Sequence, residues 1–288
     1  MEKTSVLFEQ GVIRGICDSH VHLFMPGIFP YDQERRYTPA SATLGELVAH
    51  NETLGVAYTV LVQPSCYGTD NRALCHGLEK LGPGKARGVV VIDTDHVTDE
   101  DLKELHLKGV RGIRLNLSVS DQGDLARISR EIHQVAERIN PLGWHIQIFA
   151  SPAQLALLLP LLHSSKIPIV LDHFAGGASV ADQVTELLRR PNVWVKLSAP
   201  RRVSRVPDYA DLETVVAQYI NAAPERLVWA SDWPHTGGDG HRTGNKNEIE
   251  SFAVVNDMKD LCRLAQWINN DEQLSRILTT NAYALYDF

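Results

Sequence analysis

The sequence predicts a single (β/α)8 barrel that takes up all 288 residues. Short apolar runs alternate eight times with amphipathic segments of helical period, and this rhythm favours a closed barrel over a doubly wound sheet. Several runs, such as TVLVQ and GVVVID, are apolar almost throughout, which is typical of parallel strands covered on both faces. Polar residues stand just after these runs, where barrel enzymes carry their chemistry.

The predicted strands are rich in β-branched residues and are bounded by Gly, Pro or charged side chains. In chain order they cover residues 16–24, 58–65, 87–93, 110–118, 145–151, 169–174, 193–198 and 227–233. Amphipathic helical segments lie between them, for example at residues 44–54, 99–108, 125–139 and 152–163. The Gly-rich stretch 236–247 is expected to be a mobile loop over the barrel mouth, although a plain connector has the same composition.

Composition excludes several classes of protein. Apolar residues make up 44% and charged residues 22%, so a sizeable core is expected. A net charge of −7 argues against a nucleic-acid partner, while a few arginines in a cleft could still bind an anion. The sequence shows neither a membrane span nor a signal-peptide pattern. Its four cysteines lack paired spacing, which predicts reduced thiols and a cytoplasmic location. The oligomeric state is not predicted.

Four side chains that can bind metals or move protons are expected at one end of this barrel. His20 and His22 are two apart on an extended segment, so both project from one face. His173 ends the sixth strand and Asp232 ends the eighth. An isolated HxH pair is a weak signal, and an Asp before Trp-Pro can simply cap a turn. The convergence of all four residues nevertheless predicts an active site.

This pattern resembles the amidohydrolase superfamily. The segments DSHVHLF, RRYTP, VQPSCYGTDNR, GVRGIRLN, GWH, LDHF and SDWPH are similar to the 2-pyrone-4,6-dicarboxylate lactonase group, over nearly the whole chain. The resemblance implies a lactone-opening enzyme that works without a cofactor. Binuclear members of the superfamily have a metal-bridging lysine on strand four, and Arg114 stands there instead. The alternative is one Zn²⁺ bound by His20, His22, His173 and Asp232.

In the metal-free mechanism, the three imidazoles donate hydrogen bonds to the lactone carbonyl and stabilise the oxyanion. Asp232 is then the general base that takes a proton from water and can return it to the leaving ring oxygen.

Other residues are candidates for binding the substrate. Arg114 and Arg202 follow strands four and seven, and a guanidinium matches a carboxylate bidentately. Further candidates are Gln63, Ser65, Tyr67, Asn116, Phe149 and His235. Some positions differ from the lactonase group, among them Phe149 where that group has Tyr and Gly176 where it has Arg. These differences predict a substrate with fewer or differently placed carboxylates.

The leading hypothesis is hydrolysis of a small carboxylated lactone. A lactone isomerase similar to galactarolactone isomerase is the first alternative, with Asp232 activating a substrate hydroxyl instead of water. A metal-dependent decarboxylase is the next, and a catalytically silent binding protein on the same scaffold is a third. The presence of all four central residues argues against a silent protein.

Overall fold

A computed structural model describes residues 13–117, 125–237 and 245–288. Eight parallel strands form one sheet in which each strand pairs with the next along the chain. We number them β1 to β8: Ile16–Val21, Val56–Val62, Ala86–Val90, Val110–Asn116, His145–Phe149, Ile169–Leu171, Val193–Ser198 and Leu227–Ala230. A separate pair of short strands, Thr38–Pro39 and Ile249–Glu250, lies outside this sheet.

The sheet closes on itself at the carboxyl ends of β1 and β8. The backbone N–H of His22 donates to the carbonyl of Trp233 at 2.9 Å, and that of Asp232 donates to the carbonyl of His20 at 3.1 Å. Val21 and Trp233 form a parallel bridge. The predicted (β/α)8 barrel is therefore confirmed, and closure brings the ends of the first and last strands together.

Helices connect the strands and surround the barrel. They cover Leu44–Leu54, Arg72–Leu81, Asp99–Leu107, Leu125–Ile139, Pro152–Ser164, Ala181–Leu188, Pro200–Val203, Asp211–Ala222, Asp257–Ile268, Asp271–Leu278 and Thr280–Tyr286. Short 3₁₀ turns occupy Ser65–Tyr67, Asn140–Leu142, His173–Val180, Pro207–Tyr209 and Pro224–Arg226. Across the described ranges, no helix combines the length and apolar character that crossing a membrane requires.

Local sequence explains where several helices begin. Thr43, Thr98 and Ser151 each accept a hydrogen bond from the backbone N–H three residues later, and the side chain at that position accepts one from the backbone N–H of the cap residue. Such reciprocal bonds satisfy two N–H groups that have no partner within the helix. The predicted helix starts at residues 44, 99 and 152 follow from these caps.

The observed strands are shorter than the predicted ones at their carboxyl ends. The first ends at Val21, where residues 16–24 were expected, and the sixth ends at Leu171, where residues 169–174 were expected. After Leu171 the chain leaves the sheet because His173, Phe174 and Ala175 adopt left-handed backbone conformations. Residue 118 of the predicted fourth strand and residues 238–244 of the predicted mouth loop lie outside the described residues.

Candidate active site

The four predicted central residues meet at the carboxyl end of the barrel. His20 lies on β1, His22 follows its last residue, and the Nε2 atoms of the two rings are 3.2 Å apart. Oδ1 of Asp232 lies 3.8 Å from Nε2 of His20, 3.9 Å from Nε2 of His22 and 3.8 Å from Nε2 of His173. Each of the four residues is at most 3% exposed. The structure thus gathers three imidazole nitrogens around one carboxylate oxygen.

Backbone conformation helps to aim two of these side chains. His173 has a φ of 50° and Asp232 a φ of 67°, both in the left-handed region that favours glycine. Such a conformation costs on the order of 1–3 kcal/mol for a residue with a side chain, and it persists only where the surroundings enforce it. Both residues directly follow the strand ends, where the chain turns out of the sheet.

The outer nitrogen of each imidazole has its own partner. Nδ1 of His22 lies 2.7 Å from the carbonyl oxygen of Val62, and Nδ1 of His20 lies 3.2 Å from Oδ1 of Asp172. A carbonyl can only accept, so Nδ1 of His22 carries the proton, and the carboxylate of Asp172, which is nearer to Nδ1 of His20 than the donors of Gln147 and Lys196 at 3.4 Å, favours the same tautomer for His20. A neutral ring then has a bare Nε2. His20 and His22 therefore direct lone pairs toward the centre of the cluster.

Burial keeps these rings neutral. Together with the nearby charge of Arg114, it lowers the pKa of His22 to about 3. Burial also lowers the pKa of His20 well below its usual value, and Asp172 offsets only part of this effect. The expectation that all three imidazoles donate to a lactone carbonyl therefore does not fit His20 and His22. Their Nε2 atoms are acceptors in the neutral form.

His173 differs from the other two histidines. Its Nδ1 lies 2.9 Å from the hydroxyl oxygen of Ser198, which can either donate or accept. When Ser198 donates, the proton of the neutral ring is on Nε2, and that atom faces Asp232. Burial lowers the pKa of His173 to about 4, so this ring too is neutral near pH 7. His173 alone among the three can be a donor without becoming charged.

The two oxygens of Asp232 have different surroundings. Nε of Arg202 donates to Oδ2 at 2.6 Å, and Nη2 of Arg201 lies 3.6 Å from the same oxygen. Oδ1 is buried and has no hydrogen-bond partner among the described residues. Burial by itself would raise the pKa of this carboxyl, but the guanidinium of Arg202 holds it well below its usual range. Asp232 is thus an ionised carboxylate with one free oxygen.

Arg114 lies beside the cluster and is only 5% exposed. Its Nη1 donates to the carbonyl oxygen of Gln63 at 3.2 Å, and its Nη2 lies 3.6 Å from Oδ2 of Asp172. Its Nε is buried without a hydrogen-bond partner in the described parts of the chain. A buried N–H of a charged group with no partner is costly, so this atom is a candidate contact for a substrate oxygen.

Two cavities flank the cluster. The smaller one, about 200 Å³, is lined by predicted substrate-binding residues, namely Gln63, Ser65, Arg114 and Asn116. The larger one, about 910 Å³, is lined by Arg202 and Phe149 among others. The ring of Phe149 meets that of His173 edge-on, with centroids 5.0 Å apart. Both predicted arginines therefore border space that a small molecule could enter.

Two predicted substrate-binding residues have other partners. Tyr67 is 1% exposed, and its hydroxyl accepts a hydrogen bond from the backbone N–H of Met25 at 2.8 Å. Nε2 of His235 lies 2.9 Å from Oδ2 of Asp257. Neither residue lines a cavity beside the cluster. These polar atoms hold loops together, and contact of Tyr67 or His235 with a substrate stays a prediction.

Gln63 has a mixed outcome. It borders the smaller cavity, but its Nε2 donates to the carbonyl oxygens of Gly68 and Asp70, at 3.2 and 2.9 Å. Its amide therefore closes the turn that follows β2.

Three buried polar residues of the site were not predicted from the sequence. Asp172 accepts a hydrogen bond from His20, and Lys196 on β7 is fully buried. Gln147 on β5 contacts both Asp172 and Lys196. The sequence does contain a signal for Lys196, because a lysine inside the apolar run VWVKLS needs a partner when its strand is buried on both faces. Arg201 was not predicted either, because it is one of three arginines within five residues and nothing in the sequence distinguishes it from the others.

The donor atoms of the cluster are of the kind that bind Zn²⁺. Ligand atoms of His20, His173 and Asp232 all lie within 4.8 Å of one another, and His22 stands beside them. The Nδ1 contacts to Val62 and Asp172 resemble the outer bonds that orient metal-binding imidazoles.

The surrounding charge opposes such an ion. Around the carboxylates of Asp172 and Asp232, salt-bridge contacts bring in four cationic side chains, from Arg114, Lys196, Arg201 and Arg202. Four positive charges against two negative ones leave a surplus of two. The ligand atoms are therefore of a type that binds a metal cation, while the net positive charge of the neighbouring side chains favours binding of an anion.

The four cysteines form no disulfide among the described residues. Cys17 and Cys66 are buried, and Cys75 and Cys262 are partly buried.

Comparison with known proteins places this geometry in a family. Residues 17–288 match the family model described as Amidohydrolase. The chain is 34% identical over 246 residues to a 2-pyrone-4,6-dicarboxylate hydrolase of Comamonas testosteroni, covering 79% of each protein. It is 30% identical over 285 residues to a 4-sulfomuconolactone hydrolase of Hydrogenophaga intermedia, covering 94% of this chain and 88% of the relative.

A more distant relative has a different name. The chain is 26% identical over 284 residues to a D-galactarolactone isomerase of Agrobacterium fabrum, covering 95% of this chain and 91% of the relative. The crystal structure of a probable 2-pyrone-4,6-dicarboxylic acid hydrolase from Acinetobacter baumannii superposes with a TM-score of 0.80. That pair is 24% identical over 95% of this chain and 100% of the other, which shows a shared fold. With a family model that spans residues 17–288 and relatives at 30–34% identity, the chain belongs to the amidohydrolase family and is a hydrolase of that group.

Proposed function

We propose that this enzyme hydrolyses a small lactone bearing a carboxylate, by attack of a water molecule that Asp232 deprotonates. The observation that carries the proposal is the free Oδ1 of Asp232, buried among three imidazole nitrogens. The relatives named as hydrolases of pyrone dicarboxylate and sulfomuconolactone support the reaction class. A cytoplasmic location, consistent with the unpaired cysteines, is part of the same proposal.

The first step is the positioning of water. Water has two hydrogens to donate: one goes to the bare Nε2 of His20 or His22, and the other goes to Oδ1 of Asp232. Oδ1 of Asp232 lies within 3.9 Å of both atoms and accepts the proton as the water oxygen attacks the carbonyl carbon. Arg202 holds the other oxygen of Asp232, so the basic oxygen keeps one direction.

The second step is stabilisation of the oxyanion. Nε2 of His173 donates to the carbonyl oxygen when Ser198 donates to Nδ1 of the same ring. The surplus positive charge of the arginines lowers the energy of the anionic intermediate in this buried site. Collapse of the intermediate breaks the ring C–O bond, and Asp232 returns its proton to the leaving oxygen. The products are one carboxylic acid group and one hydroxyl group.

The substrate carboxylate is assigned to Arg114. Arg114 borders the smaller cavity of about 200 Å³, and its buried Nε has no hydrogen-bond partner among the described residues. A bound carboxylate would also offset part of the surplus positive charge. The arginine therefore selects lactones that carry an acid.

We further propose that catalysis needs no resident metal, because Arg114, Arg201 and Arg202 already supply positive charge. The residues that would hold a Zn²⁺ are His20, His173 and Asp232, with His22 beside them. Such an ion would polarise the carbonyl and lower the pKa of a bound water.

A lactone isomerase is the second candidate, favoured by the relative of that name. In that reaction Asp232 would deprotonate a substrate hydroxyl, and no water would be consumed. A panel of carboxylated lactones assayed with a pH indicator distinguishes the two reactions. Hydrolysis releases one acid equivalent per turnover, whereas an isomerase consumes the substrate without releasing acid. Turnover of every member of the panel without acidification would reject the hydrolase.

A further inference from the structure

A fully buried lysine lies beneath the proposed active site. Lys196 on β7 is 0% exposed, and its Nζ donates to the carbonyl oxygen of Ser19 at 2.8 Å and to Oε1 of Gln147 at 2.7 Å. Nζ also lies 3.7 Å from Oδ1 of Asp172. Burying an ammonium group is costly unless it is paired and hydrogen-bonded. The mechanism described above gives this lysine no role.

The contacts of Lys196 fix the orientation of a neighbouring amide. Because an ammonium only donates, the atom of Gln147 that it contacts must be the oxygen. The amide nitrogen of Gln147 then faces the other way and donates to Oδ2 of Asp172 at 3.1 Å. Arg114 lies 3.6 Å from the same oxygen. Donors from two strands thus hold Oδ2, while Oδ1 of Asp172 faces Nδ1 of His20 at 3.2 Å and Nζ of Lys196 at 3.7 Å.

Oδ1 of Asp172 in turn determines the tautomer of His20. It lies 3.2 Å from Nδ1 of that ring, which carries the proton in this contact. Nζ of Lys196 and Nε2 of Gln147 each lie 3.4 Å from the same Nδ1, and without the ammonium to fix its orientation the amide nitrogen of Gln147 would offer Nδ1 a proton donor. His20 would then be protonated on Nε2, and the lone pair that faces the water would be lost.

We propose that Lys196 is a positioning residue that, through Gln147 and Asp172, keeps His20 in the tautomer with a bare Nε2 toward Asp232. The proposal rests on the lactone hydrolysis proposed above, because that reaction gives the bare Nε2 its use. Lys196 borders neither cavity beside the cluster, so it acts on the reaction only through its neighbours.

The test is the variant Lys196→Met, which keeps the length of the side chain and removes its charge and donors. Nitrogen NMR of ¹⁵N-histidine-labelled enzyme, with the His20 signal assigned by its loss in His20→Asn, reports the tautomer without substrate. We expect the wild type to show a protonated Nδ1 and the variant to show a protonated Nε2. The kcat of the variant should fall by about 10–100-fold, the range found for groups that orient an active-site histidine, with little change in KM.

A double variant distinguishes the loss of positioning from a general loss of folding. Lys196→Met leaves Asp172 without its ammonium partner, whereas the double variant Lys196→Met/Asp172→Asn removes both charges together. If the two residues act as one unit, the double variant loses no more kcat than Asp172→Asn alone. Arg87→Met is the matched control, because Arg87 is a buried cation whose contacts are the carbonyls of Pro83, Ala86, Tyr286 and Asp287. It should lose stability but keep kcat and the His20 tautomer.

Two results would overturn the proposal. An unchanged His20 tautomer in Lys196→Met shows that the lysine does not set it, whatever happens to kcat. A changed tautomer with wild-type kcat shows that the tautomer does not matter for the reaction. Failure of the wild type to hydrolyse any lactone would instead reject the proposed function, and the NMR result would still stand.

Discussion

At the scale of single residues, the chemistry depends on which atoms are left without partners. Arg202 engages one oxygen of Asp232, and the other remains free. Val62 and Asp172 engage the outer nitrogens of His22 and His20, so their inner nitrogens are bare. The motifs HxH and SDWPH predict that these residues belong to the site. Which of their atoms donate or accept hydrogen bonds depends on partners that are distant along the chain.

Arg114 offers the first prediction. If it binds the substrate carboxylate equally in the ground and transition states, Arg114→Met should raise KM and leave kcat nearly unchanged. Loss of a hydrogen bond to a charged group, about 1.5–3 kcal/mol, corresponds to about a 10–100-fold rise in KM. Steady-state kinetics on a carboxylated lactone measure this rise.

The matched control for Arg114→Met is the neutral methyl ester of the same lactone. Wild type and variant should have similar KM values for the ester, because it presents no carboxylate. A KM for the acid that stays at the wild-type value would give Arg114 a purely structural role.

At the scale of strands and helices, much of the architecture could be predicted from the sequence. Apolar runs indicate strands buried on both faces, and Thr43, Thr98 and Ser151 mark three helix starts. The carboxyl ends of the strands were less predictable. Residues after Val21 and Leu171 are still apolar enough to continue a strand, and the left-handed turn at His173 depends on packing that periodicity does not reveal.

The site could be predicted in outline and not in its inner connections. His20, His173 and Asp232 follow strands that meet at one end of the barrel, so their convergence follows from the fold. Lys196 and Asp172 become partners only once β1, β6 and β7 are arranged in the barrel. Tyr67 and His235 are predicted from their place after strands, and in the structure their polar atoms contact Met25 and Asp257.

The packing between β4 and β5 gives a prediction at this scale. A Cβ on Gly112 would lie 2.4 Å from Nε2 of His145, a ring that is only 1% exposed. Gly112→Ala should therefore destabilise the enzyme by about 1–3 kcal/mol, the usual cost of overpacking a core. Chemical denaturation measures this loss.

The control for Gly112→Ala is Gly45→Ala, in the first turn of the helix Leu44–Leu54. A Cβ at Gly45 has no neighbour within 4 Å, and alanine favours helix. This variant should be as stable as the wild type or more so. Equal stability of the Gly112→Ala enzyme would show that the contact between β4 and His145 is loosely packed.

At the scale of the whole molecule, the site and the surface differ in charge. The chain carries a net charge of −7, yet the carboxylates of the cluster are outnumbered by cationic side chains. This contrast motivates the prediction about metal. Purified enzyme should contain far less than one metal ion per chain, and dialysis against a chelator should leave kcat unchanged. Elemental analysis together with assays before and after dialysis measures both quantities.

Stoichiometric zinc, with activity lost on its removal and restored on its return, would contradict metal-free catalysis. It would assign His20, His173 and Asp232 as ligands. Partial metal content without any effect of the chelator on kcat would agree with the prediction.

The most direct test of the central claim follows the oxygen of water into the product. When a carboxylated lactone is turned over in H₂¹⁸O, mass spectrometry should find one ¹⁸O atom in the new carboxyl group. Because Asp232 is the proposed base, Asp232→Asn should form this labelled product with a kcat lower by about 10²-fold or more. Turnover to an unlabelled isomer, or a kcat of Asp232→Asn close to that of the wild type, would contradict the proposed attack of water activated by Asp232.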